Sequence, residues 1–128
     1  MLYLHIKNKL KFKQFKEELS GLDDFYPKYV FGYHNVDGVH SIFGFDLMKY
    51  RVAYRKNESG EFVVKSIKDI KDIHIKRLYD AYDYNLIEIE YLDGSNYSCP
   101  TSKKRWKMAE LEEAVNRIKG FIDRAKLD

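Results

Sequence analysis

The sequence predicts a mainly β protein with α: a seven-stranded antiparallel sheet, strongly bent or partly open as a barrel, capped by a C-terminal amphipathic helix, with a short N-terminal helix. Aromatic residues make up 16% of the 128 residues, as 11 Tyr, 8 Phe and one Trp, and Tyr and Phe favour pleated, half-buried strands. After Pro27, alternating runs recur about every ten residues with turn residues between them. The last segment instead has a helical period.

Two elements are predicted before Pro27. Residues 1–7 alternate well enough for a short strand. Residues 10–20 form a short amphipathic helix, with Gly21 placed to follow its C-terminus. The helix is indicated by four apolar residues at roughly helical spacing, Leu10, Phe12, Phe15 and Leu19.

Seven strands are predicted after Pro27, joined mainly by short turns. The turn at Asp93-Gly94 has the composition of a two-residue turn in which both residues take positive backbone angles. The predicted strands are Tyr29 to His34, Val39 to Phe45, a third beginning near Tyr50, Phe62 to Val64, Ile73 to Tyr79, Leu86 to Leu92 and Asn96 to Cys99.

The C-terminal segment is predicted to be a helix that covers the open end and the edge of the sheet. Thr101 or Ser102 can cap it. Its apolar residues form a single stripe, Leu111, Val115, Ile118, Ile122 and Ala125.

Length and composition predict one domain, with residues 1–27 as an extension packed on a β domain of residues 28–128. The single cysteine, Cys99, excludes an internal disulfide and favours a reducing, cytoplasmic location. Residues 1–6 are too short for a signal peptide, and no apolar run approaches the roughly 18 residues of a membrane span. We therefore expect a soluble protein with no integral membrane association.

Three stretches of the chain resemble the pleckstrin-homology (PH) superfold, and more closely its small bacterial members, which carry a preceding helix. Phe45 to Tyr54 is similar to the family's third strand, with its basic, leucine and aromatic pattern. Ile67 to Ile73 is similar to its I-x-x-I entry to the fifth strand, and Leu92-Asp93-Gly94 to its last hairpin. The resemblance covers about residues 28–125 and implies a module for protein interaction or self-assembly, with a homo-oligomer as one form.

The same resemblance allows phosphoinositide binding to be examined. Family members that bind phosphoinositides carry Lys and Arg in and beside the first hairpin loop, because several phosphates need converging charged donors. Here that loop, residues 34–40, contains Asp37 and neither Lys nor Arg. We therefore do not expect phosphoinositide binding.

An enzyme is not expected, and neither a cofactor nor a metal is predicted. None of the four histidines has a second ligand at a spacing typical of a metal site. His34 and His40 would lie near one another across the first hairpin, and two polar hairpin residues explain them better than a shared metal or proton. Cys99 near a strand end is more typical of a small, partly buried residue than of a nucleophile.

The strongest candidate for binding is a basic cluster with an embedded aromatic, residues 103–107. Cations beside an aromatic suit an acidic partner, nucleic acid or an anionic surface, whereas Trp106 at the start of a docking helix is more often an anchor that leaves the lysines in water. A second run of basic residues lies near the N-terminus, at Lys9, Lys11 and Lys13. The candidate residues for binding a partner or polyanion are Lys103, Lys104, Arg105, Trp106, Lys107, Lys9, Lys11 and Lys13.

The sequence thus favours a non-enzymatic interaction or self-assembly module that binds a protein partner or itself. The alternative is a nucleic-acid-binding protein, or a small phage-type inhibitor of one, acting through the patch around Lys103 to Lys107. The net charge of +3 is too small to imply a polyanion partner by itself. The protein-binding hypothesis is therefore the stronger of the two.

Overall fold

Seven strands and two helices make up the part of the chain that the computed structural model describes. The described residues are 13–14, 16–22, 24–34, 40–55, 61–79 and 82–127. The predicted strand at residues 1–7 and the first residues of the predicted N-terminal helix lie outside them. The strands are β1 (Tyr29–His34), β2 (His40–Asp46), β3 (Arg51–Arg55), β4 (Val63–Ser66), β5 (Ile70–Lys76), β6 (Tyr84–Tyr91) and β7 (Asn96–Ser102).

The described strands form two antiparallel sheets, which confirms the seven strands and corrects the expectation of one continuous sheet. The first sheet has the order β1-β2-β3-β4 and the second β5-β6-β7. The chain leaves the first sheet through a 3-10 turn at Ile67–Asp69. Ile67 and Ile70 on either side of the turn are fully buried, so this turn packs into the core. β1 and β7 lie against one another, which brings the two sheets together.

The second sheet departs from the predicted pattern at its first strand. The sequence predicted a strand from Ile73 to Tyr79, but β5 begins three residues earlier, at Ile70. The register with β6 shifts between Ile70 and Asp72. A bulge of this kind breaks the period of two, so Ile70 and Ile73 are both buried although they are three residues apart.

The turn between β6 and β7 also differs from the prediction. The Tyr91 N–H donates to the Ser95 carbonyl at 2.8 Å and the Gly94 N–H donates to the Tyr91 carbonyl at 3.0 Å. Of the three residues between Tyr91 and Ser95, only Gly94 has a positive φ, +88°. The predicted two-residue turn was wrong, and the arrangement is a three-residue loop with glycine at its left-handed position.

The C-terminal helix α2 (Met108–Leu127) covers one side of the core. The predicted apolar stripe from Leu111 to Ala125 is buried, as is Ala114. The predicted caps were wrong, because Thr101 and Ser102 belong to β7. The Ser102 hydroxyl instead accepts from the Lys104 N–H at 3.2 Å, within the turn that follows the strand.

A large core lies between the two sheets and α2. Its members come from six of the described strands, the 3-10 turn and the helix, so each of these elements buries apolar surface there. The fully buried side chains at its centre include Phe31, Phe43, Phe45, Ile73, Ile87, Leu111 and Ile118.

A smaller apolar cluster lies on the opposite face of the first sheet, beneath the N-terminal helix α1 (helical at residues 13–14 and 16–20). Leu19 of this helix packs with Phe25, Val30, Ile42 and Ala53. The first sheet is therefore buried on both faces. None of the helices in the described residues is both long and apolar enough to cross a membrane.

Candidate interaction surface

The predicted basic cluster forms the turn between β7 and α2. Lys104, Arg105 and Lys107 are exposed, and Lys103 is half-buried. The Lys103 N–H donates to the Asp83 carbonyl at 2.9 Å, and the Lys103 ammonium donates to the Tyr79 carbonyl at 3.3 Å. The turn is thereby attached to the loop that joins β5 to β6.

Trp106 in this turn is an anchor. Its indole N–H donates to the Val30 carbonyl at 3.1 Å. Its ring lies 5.0 Å from the ring of Phe31 and 6.4 Å from that of Tyr29, measured between centroids. Because the indole N–H and the ring are engaged with β1, Trp106 positions the basic turn. A stacking role toward a nucleic-acid base would require these contacts to break.

The remaining basic candidates belong to the N-terminal part of the chain. Lys13 is exposed on α1. Lys9 and Lys11 lie outside the described residues. α1 packs on the outer face of the first sheet, whereas residues 103–107 join β7 to α2, so Lys13 and the basic turn are carried by different elements.

Two exposed tyrosines lie beside the basic turn, and the sequence did not identify them as candidates. Tyr79 is 84% exposed and Tyr82 is 46% exposed. The Tyr82 N–H donates to the Tyr79 carbonyl at 3.0 Å. Because Lys103 donates to the same carbonyl, the loop that carries the tyrosines lies against the turn that carries the cations. We call this set, Tyr79, Tyr82, Lys103, Lys104 and Arg105, the tyrosine-lysine surface.

The tyrosine-lysine surface is connected to the interior by a row of aromatic rings. The Tyr82 ring lies 5.5 Å from that of Tyr84, and the Tyr84 ring 4.6 Å from that of Tyr33, which is buried on β1. The Tyr33 hydroxyl donates to the Asp83 carboxylate. The Tyr82 ring is thus held by a packed neighbour, which reduces the entropy that binding through Tyr82 would otherwise cost.

The surface combines both signs of charge. Asp83 lies in the same loop as the two tyrosines, and its backbone carbonyl accepts a hydrogen bond from the Lys103 N–H. A carboxylate next to the lysines lowers the local positive potential that a phosphate backbone would meet. Tyrosine and arginine with mixed charge are typical of protein–protein contacts.

Other predicted candidates are placed as follows. His34 and His40 occupy directly opposite positions in the β1–β2 ladder, and their side chains lie outside the described part of the chain. Among the described residues, no group of three His, Cys, Asp or Glu side chains is arranged to hold a metal ion. Cys99 is fully buried on β7, and burial raises the pKa of its thiol. A thiol that stays protonated in the interior is a poor nucleophile.

Comparison with known proteins identifies no relative. No family model, no curated protein and no solved structure matches this chain significantly.

Proposed function

We propose that this chain is a non-enzymatic interaction module of PH-like type that binds a protein partner through the tyrosine-lysine surface. The observation that carries the proposal is the placement of Tyr79 and Tyr82 beside Lys103, on a loop and a turn that hydrogen-bond to one another. A large aromatic side chain that is already held in place, as Tyr82 is by the Tyr84 ring, contributes contact area at low entropic cost. The two sheets and terminal helix agree with the PH-like part of the proposal.

The chemistry of the surface favours a partner with an acidic segment and an apolar contact. Lys104 is exposed in the turn that follows β7 and would meet carboxylates at the rim of an interface, where charge directs association. A nucleic acid is disfavoured because Trp106 is committed to β1 and Asp83 carries the opposite charge. It remains the alternative that the experiment must separate.

The test compares affinity capture by tagged wild-type chain, Tyr79→Ala/Tyr82→Ala and Met48→Ala. Met48 is 88% exposed in the turn between β2 and β3, so it controls for loss of any exposed apolar side chain. A captured protein is purified and titrated against each variant by calorimetry. We expect the tyrosine double variant to lose about tenfold or more in affinity and the control to match wild type.

Two results would overturn the proposal. One is a purified partner that binds the tyrosine double variant as tightly as wild type. The other is fluorescence anisotropy in which a single-stranded oligonucleotide binds the chain, with an affinity that falls steeply with salt and is lost in Lys103→Ala/Lys104→Ala. Circular dichroism of each variant verifies that the fold is retained.

A further inference from the structure

The first sheet has an edge that the described residues leave uncovered. β4 is the last strand of that sheet, and in the described part of the chain it pairs with β3 alone. At the other edges of the two sheets, β1 lies against β7, and β5 is in contact with α2. β4 is therefore where another strand could continue the ladder.

The backbone groups available on β4 follow from its register. The Ile67 N–H donates to the Tyr50 carbonyl at 2.8 Å, and the register continues through Val52 opposite Lys65 and Tyr54 opposite Val63. In an antiparallel ladder, hydrogen-bonded and non-hydrogen-bonded pairs alternate. Val63, Lys65 and Ile67 thus bond inward to β3. The N–H and carbonyl groups of Phe62 and Val64 point away from the sheet.

The side chains on this edge favour pairing. Val63 is 41% exposed and Val64 47% exposed, and β-branched residues suit strand contacts. Edge strands are often protected by a lysine. The lysine of β4 projects from a face of the sheet and not across its edge, and its ammonium lies over the Tyr91 ring, 4.0 Å from the ring centroid. Its position leaves the backbone edge open.

We propose that β4 pairs with β4 of a second copy of this chain, antiparallel about a two-fold axis at Val63. This register places Phe62 opposite the partner's Val64, so that outward backbone groups meet outward groups. It also places Glu61 opposite the partner's Lys65, twice by symmetry. Centring the axis on Val64 satisfies the backbone equally but sets Glu61 opposite the partner's Ile67. Charge complementarity therefore selects Val63.

The product is a continuous sheet of eight strands, four from each copy. It lies apart from the tyrosine-lysine surface, which is built from the β5–β6 loop and the turn before α2. Dimerisation through β4 and partner binding through the tyrosines can accordingly be tested separately.

The test is sedimentation velocity on the full chain across a wide concentration range. We expect a reversible monomer–dimer equilibrium that Glu61→Lys weakens about fivefold or more, since it sets lysine opposite lysine. The charge exchange Glu61→Lys/Lys65→Glu restores opposite charges and should recover the dimer. Val64→Pro removes an outward donor without removing a bond to β3, and should abolish the dimer.

Tyr79→Ala/Tyr82→Ala is the matched control and should dimerise as wild type does. Circular dichroism and thermal melting exclude variants that fail to fold, and the charge exchange keeps the test decisive if Val64→Pro does not fold. The proposal is overturned if the wild-type chain stays monomeric at all concentrations. It is equally overturned if a dimer forms with unchanged affinity in Glu61→Lys.

Discussion

The packing of Leu19 against Gly44 predicts that Gly44→Ala destabilises the wild-type chain but stabilises the Leu19→Ala variant. Leu19 of α1 is fully buried on the outer face of the first sheet. A β-carbon added to Gly44 on β2 would lie 2.6 Å from Leu19 Cδ1 and 3.3 Å from Cδ2. The absence of a side chain at Gly44 is thus what allows the helix to approach the sheet.

The magnitudes follow from three terms. Gly44→Ala forces Leu19 to shift, which costs about 1–3 kcal/mol of overpacking, while the lower chain entropy of alanine returns about 0.5–1 kcal/mol. Leu19→Ala alone costs about 2–5 kcal/mol through lost burial and the cavity it leaves. In the Leu19→Ala background the obstruction is gone, so Gly44→Ala should stabilise by about 0.5–1 kcal/mol.

The assay is a double-mutant cycle from urea unfolding, monitored by circular dichroism. We expect a coupling energy of about 1–3 kcal/mol between the two positions. Gly120→Ala in α2 is the control, because its nearest contact is Arg124 Nη2 at 3.8 Å. It should stabilise by up to about 1 kcal/mol and be additive with Leu19→Ala. Additive effects of Gly44→Ala and Leu19→Ala, within about 0.5 kcal/mol, would refute the packing argument.

Two further predictions concern β1 and β7. Trp106→Phe removes the donor to the Val30 carbonyl and should lower the free energy of unfolding by about 0.5–1.5 kcal/mol in urea titrations; an unchanged value would contradict the anchoring role. Burial raises the pKa of the Cys99 thiol, so the thiol stays protonated in the folded chain at a pH where it ionises in the unfolded chain. The contribution of this group to the free energy of unfolding is therefore complete at neutral pH and is lost as the unfolded chain ionises. The free energy of unfolding should fall above about pH 8.5, by at most about 1.4 kcal/mol per pH unit from this group. Urea titrations of Cys99→Ser should show a shallower fall between pH 8.5 and 9.5, and an equally steep fall would contradict it.

Local pattern was sufficient for most strands and for the buried stripe of α2. β6 alternates strictly, and Ile87, Ile89 and Tyr91 on one of its faces are buried. Pro100 explains why β7 was predicted too short. Proline lacks the N–H that a central strand needs, but β7 is the last strand of its sheet, where a missing N–H costs no ladder bond if it faces outward.

Features that depend on distant residues could not be predicted from the pattern. The division into two sheets follows from the 3-10 turn at Ile67–Asp69, where Ile67 is buried. The spacing of Ile67 and Ile70 is equally compatible with the start of a strand, so the sequence pattern does not distinguish the two. Trp106 and Val30 are 76 residues apart in the chain. Only the folded structure shows that Tyr79 and Tyr82 lie near the basic turn, because the hydrogen bond from Lys103 to the Tyr79 carbonyl joins residues that are 24 apart in the chain.

The contact of β1 with β7 has a consequence for synthesis of the protein. The first sheet is translated well before β7 and α2, which complete the core around Phe31 and Phe43. On the ribosome its inner face therefore has nothing to cover it, and the edge of β4 is open as well. Long-range contacts of this kind form slowly and leave apolar surface exposed meanwhile. The apolar face of the first sheet is thus completed only after β7 and α2 have been synthesised.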